Sequence, residues 1–511
     1  MSVARTQAIA LQGLHGAIVE VEADISDGLP GFLLIGLPDA SLGEARDRVR
    51  AAAANSGCPL PSRKLTVNMS PASLRKHGSS FDLSIAVAAL AAGDLVSAAS
   101  IRSVVHIGEL GLDGRLRPVD GILPSVLGAA RAGATTVMVP SANVDEASLV
   151  PDVRVVGVAS LRDAAIWHGG DFEPEAVEAL TRPATEAVDE ADLDLADVIG
   201  NRAAVEGMIV AASGGHHMLM VGPPGAGKTM LAARLPGLLP DLDIDQALEV
   251  SSVRSLSGLP VQALLSRRPP FESPHHSCSA AALVGGGHAI MRPGAVTRAS
   301  GGVLFLDEAP EFAAAVLDGL RQPLESGSIV IQRTHGSATW PARCQLVLAA
   351  NPCPCGEYGS RDVACSCSPF QRRRYLGKLS GPLIDRIDIQ LRVSRIDSAQ
   401  FRQATEPLGG QITTAEARSR VVAARDRQRR RWEGTPWRLN SEVPGSRLRS
   451  GDLRLATADT EVLDRALEGG ALTMRGYDRV LRLAWTVADL DAAERPTREH
   501  VGAALALRRA L

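Results

Sequence analysis

The sequence predicts a multidomain α/β protein that ends in a helical segment. Three observations carry that prediction. Apolar, β-branched stretches alternate with helix-forming ones over residues 1–170 and again over 198–395, the pattern of α/β units. A glycine-rich turn, Gly222–Thr229, stands between an apolar strand and the start of a helix. Between the two alternating regions, residues 171–197 hold ten acidic residues against one basic, Arg182, and read as a solvated linker. Residues 396–511 read as an arginine-rich helix followed by further helices.

The elements follow in order. Ala17–Ala23 alternates with a period of two, as a half-buried strand does. Ala40–Asn55 is built of helix formers with several charges on one side, and Leu83–Leu95 is alanine-rich and suits a buried helix. Thr135–Pro140 and Val153–Val158 are short β-branched strands. Past the acidic stretch, His217–Val221, Val303–Leu306 and Gln345–Ala350 are continuous apolar runs, as in a parallel sheet covered on both faces. Ser328–Pro341 reads as two strands around a turn at Gly336. Thr473–Asp489 keeps a helical apolar stripe, and Pro496-Thr497 opens the last helix.

Length and charge bound the function. At roughly 150 residues per domain, 511 residues suit about three domains. The balance of 54 Lys+Arg against 57 Asp+Glu excludes a polybasic tail or an acidic disordered chain. Aromatics at 3% argue against a long array of stacked bases. The longest uncharged run, Gly207–Gly227, is broken by Ser213, His216, His217 and a Pro-Pro pair, so no membrane span is expected. The N-terminus lacks a clean apolar stretch, so no secretory signal is read there. Seven cysteines, four of them clustered, suit a reducing cytoplasm better than a disulfide framework.

The glycine-rich turn carries the chemistry. Gly222, Pro223, Pro224, Gly225, Ala226, Gly227, Lys228 and Thr229 match the phosphate-loop pattern G-x4-G-K-S/T in full. Small residues let backbone N–H groups turn inward on phosphate oxygens, and the following helix N-terminus adds a favourable dipole. Lys228 is expected to reach the β- and γ-phosphates of ATP, and Thr229 to hold Mg2+. Val303–Leu306 ends in Asp307 and Glu308, read as a second Mg2+ contact and the residue that orients the attacking water. Asn351, at the end of the next strand, helps position that water.

Two further clusters invite a ligand. Cys353, Cys355, Cys365 and Cys367 form C-x-C-x9-C-x-C, which can place four thiolates around Zn2+, although the pairs are tighter than the usual C-x2-C. Residues 370–450 carry 18 Lys/Arg against 8 Asp/Glu. There Thr413 and Glu416 form a capping box before a helix with Arg418, Arg420, Arg425, Arg427, Arg429, Arg430 and Arg431, ending at Trp432. Such a helix can lie along DNA phosphates, with Arg427 and Arg430 as contacts and Trp432 stacking on a base. An interface between subunits is the competing use of those arginines. Arg333 and His335, near the tip of the Ser328–Pro341 hairpin, are further DNA candidates. His275 and His276 adjoin in a Pro-flanked loop, without nearby metal partners in sequence.

The phosphate loop, the Asp307-Glu308 strand and the Asn351 strand together resemble AAA+ ATPases. Longer stretches narrow the resemblance: Asp24–Gly31 (DISDGLPG), Ile35–Ala40 (IGLPDA), Ser273–Ser277 (SPHHS), Ser380–Asp388 (SGPLIDRID) and Met474–Arg479 (MRGYDR). They are similar to the magnesium-chelatase-like ATPases of the ComM/YifB group over nearly the whole chain. The resemblance implies a P-loop AAA+ core with a parallel sheet at 198–395 and a C-terminal helical lid within 396–511. It implies Arg386 as an arginine finger acting on ATP of a neighbouring subunit, and Arg475 as a second sensor. A finger in trans requires a ring, and the family implies a homo-hexamer with the hairpin in its pore.

Residues 1–170 resemble the proteolytic domain of Lon-type proteases, most clearly in Gly108–Pro118 (GELGLDGRLRP) with Gly121. The resemblance places Ser80 near the nucleophile position and Ser125 where the activating lysine should stand. A serine without a base is a poor nucleophile. A non-proteolytic domain is therefore expected, used for contacts with DNA, partner proteins or subunits.

The function implied is an ATP-driven hexameric DNA motor, a helicase migrating branched recombination intermediates of the natural-transformation type, with recombination proteins as partners. One alternative is a magnesium-chelatase ATPase subunit acting on a protein or porphyrin partner, which shares the core motifs. A nucleotide-gated scaffold is the other, and the complete set of ATPase residues argues against it.

Overall fold

The computed structural model describes residues 3–36, 41–74, 76, 78–180, 193–287, 291–333, 336–359, 364–396 and 411–508. The first sheet is built from β1 (Ala4–Gln12), β2 (His15–Ser26), β3 (Gly31–Ile35), β4 (Lys64–Ser70), β5 (Val105–His106), β6 (Thr136–Pro140) and β7 (Arg154–Val158). Its order is β3-β4-β2-β1-β5-β6-β7. The strand pairs β1/β2 and β2/β4 are antiparallel and the others parallel. Helix α1 (Ser41–Asn55) precedes β4, and α2 (Asp82–Ala92) and α3 (Ile122–Arg131) flank β5 in the chain. The alternation read in Ala17–Ala23 is real: Val19, Val21 and Ala23 are fully buried while Glu20 and Glu22 face out. Helix α2 is buried along nearly its whole length, which is why it is made of alanine and branched aliphatics. It covers one face of the sheet, over Ala8, Val19 and Val21, and α3 covers the other, over Ile9, Val137 and Val139.

The second sheet positions the nucleotide motif. Helix α4 (Arg202–Gly214) leads into β8 (Met218–Val221), then α5 (Lys228–Leu238) and α6 (Ile244–Leu256). Strands β9 (Phe271–Glu272) and β10 (Val303–Leu306), the hairpin β11 (Ser328–Arg333) and β12 (Gly336–Pro341), then β13 (Gln345–Ala350) and β14 (Ile389–Arg392) follow. The sheet order is β9-β10-β13-β8-β14, all parallel. Every residue of β8, β10 and β13 is buried, as both faces of a parallel sheet require. Met218, Met220 and Phe305 pack toward α4 and the C-terminal helices; Leu219, Leu304 and Leu348 pack toward Val296, Phe312 and the hairpin's Trp340.

The tail is helical: α7 (Thr414–Arg431), α8 (Thr457–Glu468), α9 (Met474–Leu490) and α10 (Arg498–Arg508). The capping box forms, with Glu416 N–H donating to Thr413 at 3.2 Å and Thr413 N–H donating to Glu416 at 2.9 Å. The end of the acidic stretch is part of this packing and not a free linker. Leu195 is buried, its N–H donates to Thr414 at 2.7 Å, and the Asp194 carboxylate accepts from the Thr414 N–H at 2.8 Å. Residues 181–192 lie outside the described residues.

The two sheets meet through helices. Leu248 of α6 shares an apolar cluster with Ile122 and Val126 of α3, and Gly121 N–H donates to Ser255 at 3.2 Å. Among the described residues no helix is long and apolar enough to cross a membrane.

Candidate functional site

Strands β8, β10 and β13 are neighbours in the order β10-β13-β8 and point the same way, so their C-terminal ends open on one crevice. The phosphate loop follows β8, Asp307 and Glu308 follow β10, and Asn351 follows β13. All three segments line one cleft of about 410 Å³, with Pro224 to Met230 along one wall and Asp307, Glu308, Ala350 and Asn351 along the other. Two glycines of the turn resist replacement. A Cβ on Gly222 would stand 2.1 Å from the Val393 carbonyl oxygen of the adjoining chain. Gly227 has φ +87°, where a side chain is strained.

The charged residues interlock. Lys228 Nζ donates to Gly222 O at 2.7 Å, Pro223 O at 3.0 Å and Asn351 Oδ1 at 3.1 Å. Burial pushes its pKa down, while Asp307 and Glu308 pull it up. Thr229 Oγ1 donates to Asp307 Oδ2 at 2.7 Å, so the two oxygens expected to serve Mg2+ already stand together. Hydroxyl, carboxylate and space for water suit an octahedral Mg2+ that also holds substrate phosphates. Glu308 sits at φ +50°, a left-handed backbone that a non-glycine residue holds at a cost of about 1–3 kcal/mol. Its N–H donates to Asp307 Oδ1 at 2.9 Å.

Sequence reasoning missed one residue here. His276 Nδ1 lies 3.2 Å from Glu308 Oε2. Strand β9 pairs in parallel with β10 through Phe271–Val303 and Glu272–Leu304, so the loop after β9 ends beside the acids after β10. The His275 ring lies 4.1 Å from that of His276, and His275 Nδ1 is 2.8 Å from Ser277 Oγ. The only signal in the sequence was the Pro-flanked histidine pair, because strand order is not written there.

The two arginines assigned to ATP lie elsewhere. Neither Arg386 nor Arg475 lines the cleft. Arg386 pairs with Glu325 and donates to Pro382 O at 2.5 Å. Arg475, at the start of α9, is 76% exposed and 3.7 Å from Asp385. The lid helices hold the whole Asp385–Asp388 segment: Arg479 donates to Arg386 O at 3.1 Å and pairs with Asp388, and Arg508 donates to Ile387 O at 2.7 Å. Asp388 is buried. Burial pushes its carboxyl up, but Arg479 and His216 outweigh this and hold it well below the usual range.

Six of the seven arginines of the arginine-rich helix have partners within the chain. Arg418 pairs with Asp241 and Arg420 with Glu206. Arg425 donates to Ala212 O at 2.6 and 2.9 Å, and Arg427 to Asp489 O at 2.8 Å. Arg429 pairs with Asp426 and Arg431 with Asp489. Trp432 is 4% exposed and its indole N–H donates to Asn440 at 3.0 Å, so it is a core residue and no stacking platform. Arg427 is likewise committed; Arg430 alone of the seven is exposed and unpaired among the described residues. The hairpin exists, paired from Ser328–Pro341 to Arg333–Gly336. His335 and the side chain of Arg333 lie outside the described residues.

In the first domain Ser125 donates to Gly121 O at 2.7 Å, within its own helix. Ser80 meets no base among the described residues, and its backbone oxygen accepts from Gly108 N–H at 2.9 Å. The four clustered thiols do converge, with all four sulfurs within 4.8 Å of one another. Cys355 is held at about 6, mainly by the Glu357 N–H that its sulfur accepts.

Comparison with known proteins fits this geometry. Three family models match: magnesium chelatase subunit ChlI at residues 194–401, subunit ChlI of Mg-chelatase at 21–143, and its C-terminal part at 411–508. An uncharacterized protein of Mycobacterium tuberculosis is 47% identical over 99% of both chains. Competence protein ComM of Haemophilus influenzae is 39% identical over 99% of this chain and 98% of its own. YifB of Escherichia coli, itself uncharacterized, is 40% identical over 99% of this chain and 97% of its own. Lon protease of Mycolicibacterium smegmatis is 30% identical over 34% of this chain and 23% of its own. The α/β folds, the nucleotide cleft and full-length identity agree: the chain belongs to the ComM/YifB family of magnesium-chelatase-like AAA+ ATPases.

Proposed function

We propose that the protein is a DNA motor that works as a homo-hexamer in the cytoplasm and drives branch migration of recombination intermediates. The observation that carries the ATPase part is the convergence of Lys228, Thr229, Asp307, Glu308 and Asn351 on one cleft. In this reading Lys228 leaves its three oxygen partners for the β- and γ-phosphates. Thr229 and Asp307 hold Mg2+, which neutralises phosphate charge when bound. Glu308 orients the attacking water, with Asn351 beside it. Arg386 and Arg475 lie off the cleft of their own chain, which supports a ring in which Arg386 reaches the nucleotide of the next subunit. A finger of that kind is worth about 10³–10⁵ in rate.

The DNA part rests on the full-length likeness to competence protein ComM and on the β11–β12 hairpin. Arg333 and His335 at the tip grip DNA in the pore, Arg430 adds an outer phosphate contact, and recombination proteins are the expected partners. The test is ATP turnover with no DNA, single strands, duplex and a four-way junction, with Lys228→Ala as blank. Stimulation by single-stranded or branched DNA is expected, and binding should weaken steeply with salt. The family models favour a second reading, a chelatase-type ATPase acting on a protein or porphyrin. Basal turnover unmoved by any DNA would select it.

A further inference from the structure

The cysteine loop is not used by this mechanism, yet its four sulfurs converge outside the cleft. Cys353 Sγ lies 3.3 Å from Cys355 Sγ and 3.7 Å from Cys365 Sγ, and Cys355 Sγ is 3.6 Å from Cys365 Sγ. Four ligands at about 2.3 Å around a tetrahedral Zn2+ stand roughly 3.8 Å apart. All four sulfurs fall within 4.8 Å of one another, which fits one ion and leaves no room for a multi-iron cluster. None is in a disulfide, and Cys353 is buried, so the sulfurs are held together without any covalent link. Sulfur-only ligation selects zinc over magnesium or calcium.

The same loop is fastened to the nucleotide turn. Asn351, two residues before Cys353, accepts from Lys228 at 3.1 Å. Gly356, one residue after Cys355, lies so close to Pro224 that a Cβ there would stand 2.6 Å from its ring. Glu357 takes both guanidinium nitrogens of Arg395 at 2.8 and 3.1 Å, and Arg395 Nε donates to Pro224 O at 3.0 Å. Beyond it, Arg372 stacks on Tyr358 at 3.9 Å from the ring centre.

We propose that Cys353, Cys355, Cys365 and Cys367 hold one structural Zn2+ in a closed four-thiolate site, and that this ion braces the Asn351–Glu357 loop against the phosphate loop. Binding releases the thiol protons to solvent, and with no open coordination position the ion takes no part in hydrolysis. Its role is to keep Gly356 and Glu357 on Pro224, and so to preform the wall that receives the nucleotide.

The experiment uses the full-length chain purified without chelator. Metal analysis is expected to find one zinc per chain, and Cys355→Ser/Cys367→Ser to lose it. Cobalt grown into the wild type should give the visible bands of tetrahedral cobalt–thiolate. A mercurial titration of wild-type protein, read by a zinc dye, should release the ion and weaken binding of a fluorescent ATP analogue about tenfold, or about 1.4 kcal/mol. This arm does not depend on the variant folding. Far less than one zinc per chain, with no tetrahedral cobalt spectrum, would overturn the site. Zinc release with unchanged nucleotide affinity would overturn the brace. Both readouts are independent of DNA, so they stand apart from the motor reading.

Discussion

Asp388→Asn is the substitution with the most to say about how this ATPase is held together. Asp388 lies two residues after Arg386 and is 2% exposed. Its carboxylate takes Arg479 on one oxygen and His216 Nδ1 at 3.0 Å on the other. His216 Nε2 is 2.8 Å from Thr486 Oγ1, and Thr486 accepts from Asn440 at 3.1 Å. Asn440 donates in turn to Asp489 at 2.8 Å, which pairs with Arg431. A buried polar chain thus ties the Arg386 segment to His216, two residues before the phosphate-loop strand, and to the lid. Asparagine keeps the shape and one acceptor but removes the charge, and Arg479, 16% exposed, is left without its counter-ion. Breaking such a pair from one side costs about 3–5 kcal/mol. Taking the lower end, because one acceptor survives, the loss is about 3 kcal/mol. For a unit this large each kcal/mol moves the midpoint about 2–4 °C, so the transition should fall by on the order of 10 °C. Differential scanning fluorimetry measures it, and ATP turnover below the transition measures the second effect, a drop from mispositioned Arg386. A midpoint within 2 °C of wild type (a ~1 kcal/mol effect), with normal turnover, would refute the reasoning.

Other outcomes test separate parts. Arg386→Ala alone should lose about 10³ in turnover, and mixing it with Lys228→Ala should restore part of the rate. Mixtures no faster than either variant alone would count against catalysis in trans. Glu308→Gln should bind the ATP analogue with near-normal affinity and hydrolyse it about 10²–10⁴-fold more slowly. His276→Ala should lower turnover about tenfold, while His276→Asn, which can still donate to Glu308, should recover most of it. Full activity of His276→Ala would remove the contact from the mechanism. The first domain should be acid-labile. His168 and His106 meet Nε2 to Nε2 at 2.8 Å and are buried, and burial holds His168 at about 4. Its folded value lies below the unfolded value of about 6.5. Stability is therefore full above pH 6.5 and falls as pH drops toward 4, by up to about 3 kcal/mol. His168→Gln should flatten that slope in urea melts between those pH values.

The local chemistry was legible in the sequence. A phosphate loop needs small residues, Lys228 and Thr229 in a fixed order, and that order is written in consecutive positions. The buried strands announced themselves as unbroken apolar runs, and the Thr413 capping box as a four-residue spacing. The partners of the arginine-rich helix were not legible there, because charge along a helix does not say what faces it. Asp241, Glu206 and Asp489 come from distant parts of the chain and pair with Arg418, Arg420 and Arg431. Trp432 faces inward for the same reason.

By itself, then, the sequence determined the phosphate-loop motif and the paired acids that face it, because that pattern depends on neighbours along the chain. Only the tertiary structure decided what touches them. Strand order set His276 against Glu308, and lid packing fixed the Arg386 segment through Arg479 and Arg508. The convergence of four sulfurs needed a loop whose course depends on Pro224 and Arg395. Contacts between residues a hundred positions apart follow from how sheets and helices stack, and a linear pattern carries no record of that.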